Sequence, residues 1–190
     1  VARFKSLTNG FFRRRGLIGD EIIVRCEGGA LHLAGSQSGE LIIPAANVDK
    51  LRQFRIGPIQ ELQGEIAPIY ETKIWFDGES KPAMLTPYEQ HGNYRTTMRD
   101  FAAAIVALRG FDRLYCGPGM TTAIVNLVLI GVPVLFLFAY MLWVSMQDGG
   151  MWWLLTAGLA VFFSFVSWRV IYARWPRPVR SMEEFEAQLR

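Results

Sequence analysis

Two patterns of apolar and polar positions divide the chain. In residues 20–112 the apolar positions come in short runs that alternate with polar ones, whereas from Gly117 to Trp168 the only charged residue is Asp148. Alternation with period two predicts half-buried strands. It picks out Glu21–Glu27, Ala30–Ala34, Glu40–Ile43, Val48–Ile56, Ile69–Phe76 and Ala83–Thr86. Gly28-Gly29 supplies the positive φ angles of a tight hairpin turn, so the first two runs should pair antiparallel. Asp77-Gly78 is a second turn signal, and residues 60–66 read as either a further strand or a loop. After the strands the period changes: Tyr94, Met98, Phe101, Ile105 and Leu108 recur at four-then-three spacing and predict one amphipathic helix. Asn93 is placed to cap it and Gly110 to stop it.

The apolar half predicts two membrane spans. Residues 123–145 carry no charge and reach roughly 34 Å as a helix, slightly more than a bilayer core of about 30 Å. Residues 151–173 carry one charge, Arg169, near enough to the end to reach the interface. The short connection at 146–150 predicts an antiparallel helical hairpin. Trp143, Trp152 and Trp153 bracket that turn, and Trp168, Tyr172 and Trp175 mark the other end, as in aromatic belts. Arg109, Arg113, Arg169, Arg174, Arg177 and Arg180 flank the spans while the turn offers only Asp148, which puts both termini in the cytoplasm. Within the spans, Gly131-Val-Pro133 predicts a kink. Gly158, Ala160 and Ser164 form a small-residue stripe suited to close helix packing.

Composition sharpens this partition. The chain has 190 residues, 51% hydrophobic and 19% charged, with a formal net charge of +3, and a mean hydropathy of +0.19. This excludes a disordered tail, a secreted disulfide scaffold and a strongly basic nucleic-acid binder. The segments are then a basic N-terminal arm (1–19), a cytoplasmic domain (20–112), a linker (113–122), the hairpin (123–173) and a cytoplasmic tail (174–190). In the tail, Ser181 with Glu184 makes a capping box, and Met182, Phe185 and Leu189 form a stripe. So short a helix needs the bilayer, the domain or a partner to hold it.

The order of six or seven strands and one helix, together with the run Leu41-Ile-Ile-Pro-Ala-Ala-Asn-Val-Asp-Lys-Leu-Arg52, resembles the bacterial pleckstrin-homology-like (PH-like) domains of small membrane proteins, over roughly residues 20–110. The resemblance implies an α+β membrane protein: a PH-like antiparallel β-barrel or sandwich capped by a C-terminal helix, followed by the two-helix hairpin, in a bacterial inner membrane. Inositol phosphate recognition would need cations at the first strand turn. Here Arg25-Cys-Glu-Gly-Gly-Ala30 offers one Arg beside Glu27, so that property is not expected to carry over.

Catalytic and metal patterns are missing from the sequence. His32 alternates with Leu31 and Leu33 and so faces outward, and His91 lies in a polar loop; neither has a Cys or carboxylate at metal spacing. Cys26 reads as a small core residue. Cys116-Gly-Pro-Gly119 reads as a linker rather than a phosphate loop. No cofactor is expected. Arg13, Arg14 and Arg15, and the tail's Arg174, Arg177 and Arg180, are candidates for contact with anionic lipid at about 1 kcal/mol per charge. The expected role is a non-catalytic membrane-anchored accessory, assembly or scaffold subunit, its partners being membrane lipids and other membrane-protein subunits or further copies of itself. The alternatives are a lipid-responsive sensor or organising module, and an accessory to a transporter or membrane enzyme.

Overall fold

The computed structural model describes residues 1–60, 66–88, 91–147, 158–159, 161–162, 164–165, 168–169 and 175–189. Two compact units result, Val1–Cys116 together with Arg177–Arg190, and Gly117–Pro176.

The first unit opens with β1 (Arg3–Leu7) and a short helix α1 (Gly10–Arg14), then β2 (Glu21–Glu27), β3 (Ala30–Gly35) and β4 (Glu40–Pro44). These strands form an antiparallel sheet in the order β1-β2-β3-β4. Its rows follow from the period-two pattern: Phe4 pairs with Val24, and Val24 with Leu33, so their side chains stack on one buried face. Gly28 and Gly29 adopt φ of 58° and 74°, the left-handed conformation that the two-residue β2–β3 turn requires. A 3-10 turn, Ala45–Asn47, leads into the second sheet.

That sheet contains β5 (Val48–Gln60), β6 (Ile66–Phe76), β7 (Ala83–Leu85), β8 (Leu114–Cys116) and β9 (Arg177–Pro178), in the order β7-β6-β5-β8-β9. All of its pairs are antiparallel except β5 with β8, which run parallel. Helix α2 (His91–Arg109) packs on β1, β2, β3 and the 3-10 turn. It contributes Tyr94, Met98, Phe101 and Ile105 to the core, while Leu108, at the end of the expected stripe, is 61% exposed. Gly110 ends the helix at φ 74°, its N–H donating to the Val106 carbonyl at 2.9 Å.

The expected PH-like fold, an antiparallel barrel or sandwich capped by its last helix, is corrected here. Neither sheet closes on itself. The reason lies in β5: one edge pairs with β6 and the other takes the parallel strand β8, so β4 pairs only with β3. Nor is α2 the last element. After the apolar insertion the chain returns as β9 and helix α5 (Met182–Ala187), where Val179, Phe185 and Leu189 are buried in the same core cluster as Phe4 and Phe101. The Tyr70 hydroxyl donates to the Leu189 carbonyl at 3.0 Å. Ser181 caps the helix as the sequence indicates, the Glu184 N–H donating to Ser181 Oγ at 3.2 Å, while the Glu184 carboxylate reaches back one residue further and accepts from the Arg180 N–H at 3.0 Å.

The N-terminal arm is likewise folded. Asn9 Oδ1 caps α1 by accepting from the Phe11 N–H at 2.9 Å, and Phe4 and Phe12 are buried.

In the second unit, helix α3 (Met120–Asn126) passes through a π-helical turn, Leu127–Gly131, into α4 (Val132–Gln147). The wide turn sits just before Pro133, which has no N–H for the Leu129 carbonyl and crowds it with its ring. The expected two-helix hairpin is corrected to a narrower finding. Among the described residues one helix, Met120–Val144, is long and apolar enough to cross a membrane. The second expected span, 151–173, falls mostly outside the described residues, as does the connection at 148–150.

Candidate functional site

The outer face of the second sheet is built around an irregularity in β5. Strict alternation from buried Val48 would turn Lys50 and Arg52 inward, where a lone cation costs several kcal/mol. Instead the register with β6 shifts between Val48 and Lys50, leaving Asp49 as an extra residue. A bulge of this kind re-aims the side chains that follow it. Leu51 and Gln53 are therefore buried, and Lys50 and Arg52 share the outer face. Asp49 is held from two sides: its Oδ2 accepts from the Gly78 N–H at 2.7 Å, and its carbonyl accepts from Arg113 Nη1 at 3.0 Å.

Two aromatic rings complete the face. Lys50 pairs in register with Trp75, and Arg52 with Tyr115 across the parallel strand. Lys50 Nζ lies 4.1 Å from the Tyr115 ring centroid and 5.6 Å from that of Trp75, while Arg52 Cζ lies 5.2 Å over Trp75. These are cation–π distances. Burial lowers the Lys50 pKa, and the neighbouring Arg52 lowers it further. Arg52 is lowered by burial as well, with Glu71 acting in the opposite sense. Among the described residues neither cation has a carboxylate within salt-bridge distance, and the nearby carboxylates are engaged elsewhere: Glu71 with Lys73 at 2.7 Å, Glu184 with Arg177 at 3.2 Å, and Glu79 with Arg15.

The inner face of the same strands is polar at one point. Tyr94 and Thr72 both donate to Gln53 Oε1, at 2.8 and 2.6 Å, and their hydroxyls lie 2.6 Å from each other. Burial pushes the Tyr94 pKa up, so the phenol stays protonated. This network orders the core beneath the outer face.

The candidate lipid contacts from the sequence do not converge. Arg13, Arg14 and Arg15 lie on or just after α1, which packs by β7, whereas Arg177 lies on β9 at the opposite edge of the sheet. Four strand spacings separate those edges, about 19 Å. Arg15 stacks on Phe11 and Phe76 at 4.9 and 5.2 Å and ion-pairs with Glu79. With Arg14, Ser80 and Lys81 it lines an open cavity of about 590 Å³. Arg13 lies 3.8 Å from Asp20, and Arg180 is exposed. Arg174 and Ala160 lie outside the described residues. Gly158 and Ser164 are helical and exposed, and a Cβ at Gly158 would meet nothing within 4 Å. At Gly131 it would meet Leu127 Cδ1 at an ordinary 3.6 Å.

His32 turns outward as expected, its Nδ1 3.2 Å from Glu40 Oε1. His91 begins α2. Burial pushes the Cys26 thiol up to about 11 and the Cys116 thiol up to about 12, so both stay protonated near neutrality. Among the described residues no cluster of three metal-ligating side chains is found. The Lys50–Arg52 face is hidden in the sequence because its signal, two cations at the spacing of a strand, is indistinguishable from ordinary surface charge until the bulge at Asp49 is seen. Compared with protein-family models, with curated proteins and with solved structures, the chain matches none.

Proposed function

We propose that this chain is a non-catalytic, membrane-anchored interaction module, an accessory or scaffold subunit whose folded unit works at the face of a membrane on other membrane proteins or further copies of itself. The observation that carries the reading is the pairing of β8 with β9. Cys116 and Arg177 are register partners, so the chain leaves the folded unit and returns to it at one place. A membrane helix at Met120–Val144 must then be followed by a return crossing before Arg177, because both ends of the insertion stay on the same side. Residues 145–176 are long enough for that, since about 20 apolar residues suffice for one crossing. Such a chain is multi-pass. The flanking Arg109, Arg113, Arg169 and Arg177 favour the cytoplasmic face of a plasma membrane for both termini.

The geometry also explains why the module would stay at its membrane. Phe185 and Leu189, beyond the insertion, are part of the core. The tail beyond the insertion thus belongs to the folded unit, which the chain enters on both sides of the apolar segment. The reading is tested by labelling intact cells with an impermeant maleimide. Asp148→Cys should react from outside, and Glu183→Cys only after permeabilisation. Reaction of both from the same side overturns the topology. For the interaction role, capture in mild detergent should recover a complex larger than the monomer, and a chain that always migrates as an isolated monomer counts against it.

A further inference from the structure

We infer that the outer face of the second sheet is an anionic-lipid contact, with Lys50 and Arg52 meeting the phosphates of the bilayer surface and Trp75 and Tyr115 settling at the headgroup level. The inference rests on the membrane anchor proposed above and adds the surface by which the folded unit meets that membrane.

Three observations carry it. First, the face gathers two cations two residues apart on one strand, with no carboxylate at salt-bridge distance from either among the described residues; Glu71, which acts on Arg52 from farther off, is paired with Lys73. Like charges placed together and partly desolvated are unfavourable unless an anion joins them. On the first sheet, by contrast, Lys5 pairs with Glu21 at 3.1 Å, and Arg25 lies 3.8 Å from Glu40. Second, the cations are held between aromatic rings, not left on free stems. Trp and Tyr present an apolar body and a polar edge, the chemistry that suits a membrane interface. Third, the strands that border this face carry the chain into and out of the apolar insertion. Tyr115 is five residues before Met120, and a fully extended chain covers at most about 18 Å in that length. Pro178, on the returning strand, pairs with Tyr115. Both connections to the insertion therefore leave from the strands that border this face. A soluble partner would also have to compete with an anionic surface tied within that reach. A negative leaflet attracts each nearby cation, and the attraction fades within a Debye length of about 8 Å at physiological salt.

The test uses the full wild-type chain reconstituted into lipid nanodiscs, either phosphatidylcholine alone or phosphatidylcholine mixed with phosphatidylglycerol. Amines are acylated by an impermeant reagent and each lysine is read by mass spectrometry. Lys50 should react at least about fivefold more slowly in the anionic discs, as expected for attraction of this size at two cations, while Lys5 on the other sheet reacts equally in both. High salt should restore Lys50. Equal Lys50 rates in the two lipids overturn the inference, and so does equal protection of Lys5. If inorganic phosphate added to the phosphatidylcholine discs protects Lys50 as strongly as the anionic lipid does, the face takes free anions and the lipid assignment falls. A chain that enters discs of neither composition refutes the anchor instead; phosphatidylglycerol vesicles added to that chain then read the face directly, protection of Lys50 supporting the contact and its absence overturning it.

Discussion

The two sheets of the folded unit are assembled by different rules. The first is a meander in which every strand pairs with its sequence neighbour, its alternation is unbroken, and two of its outer cations lie against carboxylates: Lys5 against Glu21 and Arg25 against Glu40. The second is collected from distant parts of the chain, contains a parallel pair and a bulge, and shows two cations stacked on rings with their neighbouring carboxylates engaged elsewhere. The contrast separates architecture from use. In the locally built sheet Lys5 and Arg25 lie against carboxylates, and in the sheet tied to both ends of the insertion Lys50 and Arg52 lie against aromatic rings.

The strongest way to break this comparison is through the shared core. Phe185→Ala removes a fully buried ring supplied from beyond the insertion. It should lower unfolding stability by about 3–5 kcal/mol, as Phe4→Ala should from the first sheet. Denaturant titration in detergent measures both, and a silent Phe185→Ala would mean that the tail is not part of the unit.

Alkaline pH gives the next largest effect. Folded Cys26 and Cys116 titrate at about 11 and 12 against an ordinary 9.0. Unfolded thiols therefore lose protons that the folded ones keep. The stability they contribute is fully present below about pH 9 and declines as pH rises toward the folded values, with a slope approaching about 1.4 kcal/mol per pH unit for each thiol. Cys116→Ala should remove part of that slope, and a pH titration of the unfolding midpoint checks it.

Thr72→Val deletes a buried hydroxyl that donates to Gln53 and touches Tyr94; because Tyr94 still donates to Gln53 Oε1, it should cost about 0.5–1.5 kcal/mol, the net worth of one hydrogen bond. The smallest effect separates the two outer faces directly. Glu40→Gln in the first sheet should lose no more than about 1 kcal/mol, whereas Lys50→Gln in the second should lose nothing or gain slightly, since it relieves a like-charge neighbour. Thermal melts of the two variants side by side decide it. A clear loss at Lys50→Gln would show that its ring contacts serve stability before recognition.

Much of the first sheet is legible in the order of its residues. β2 and β3 follow from period-two alternation around Gly28-Gly29, α2 from the Tyr94–Ile105 stripe, and the Ser181 cap from spacing alone. Each of these signals spans fewer than about twenty residues, and its physical cause is local. Other features are hidden for the opposite reason. The three-residue β8 and two-residue β9 have no periodicity to detect, and they exist only because β5 offers a free edge. Arg13–Arg15 read as a basic arm because nothing in that stretch announces that Phe4 and Phe12 will be swallowed by a core that includes residues as distant as Tyr94 and Phe101. Of the candidate site, the residue types are visible in the sequence and the constellation is not.

By itself, the amino-acid order determined the apolar segment that is long enough to cross a bilayer, the hairpin turns and the capped helices, because hydropathy, glycine freedom and hydrogen-bond satisfaction act over a few residues. Only the tertiary structure decided that the sheets stay open, that the tail belongs to the domain, and that Lys50 and Arg52 meet Trp75 and Tyr115. Those outcomes depend on which strand claims the second edge of β5 and on one extra residue at Asp49. Neither choice is settled until distant segments compete for the same hydrogen bonds and the same buried volume.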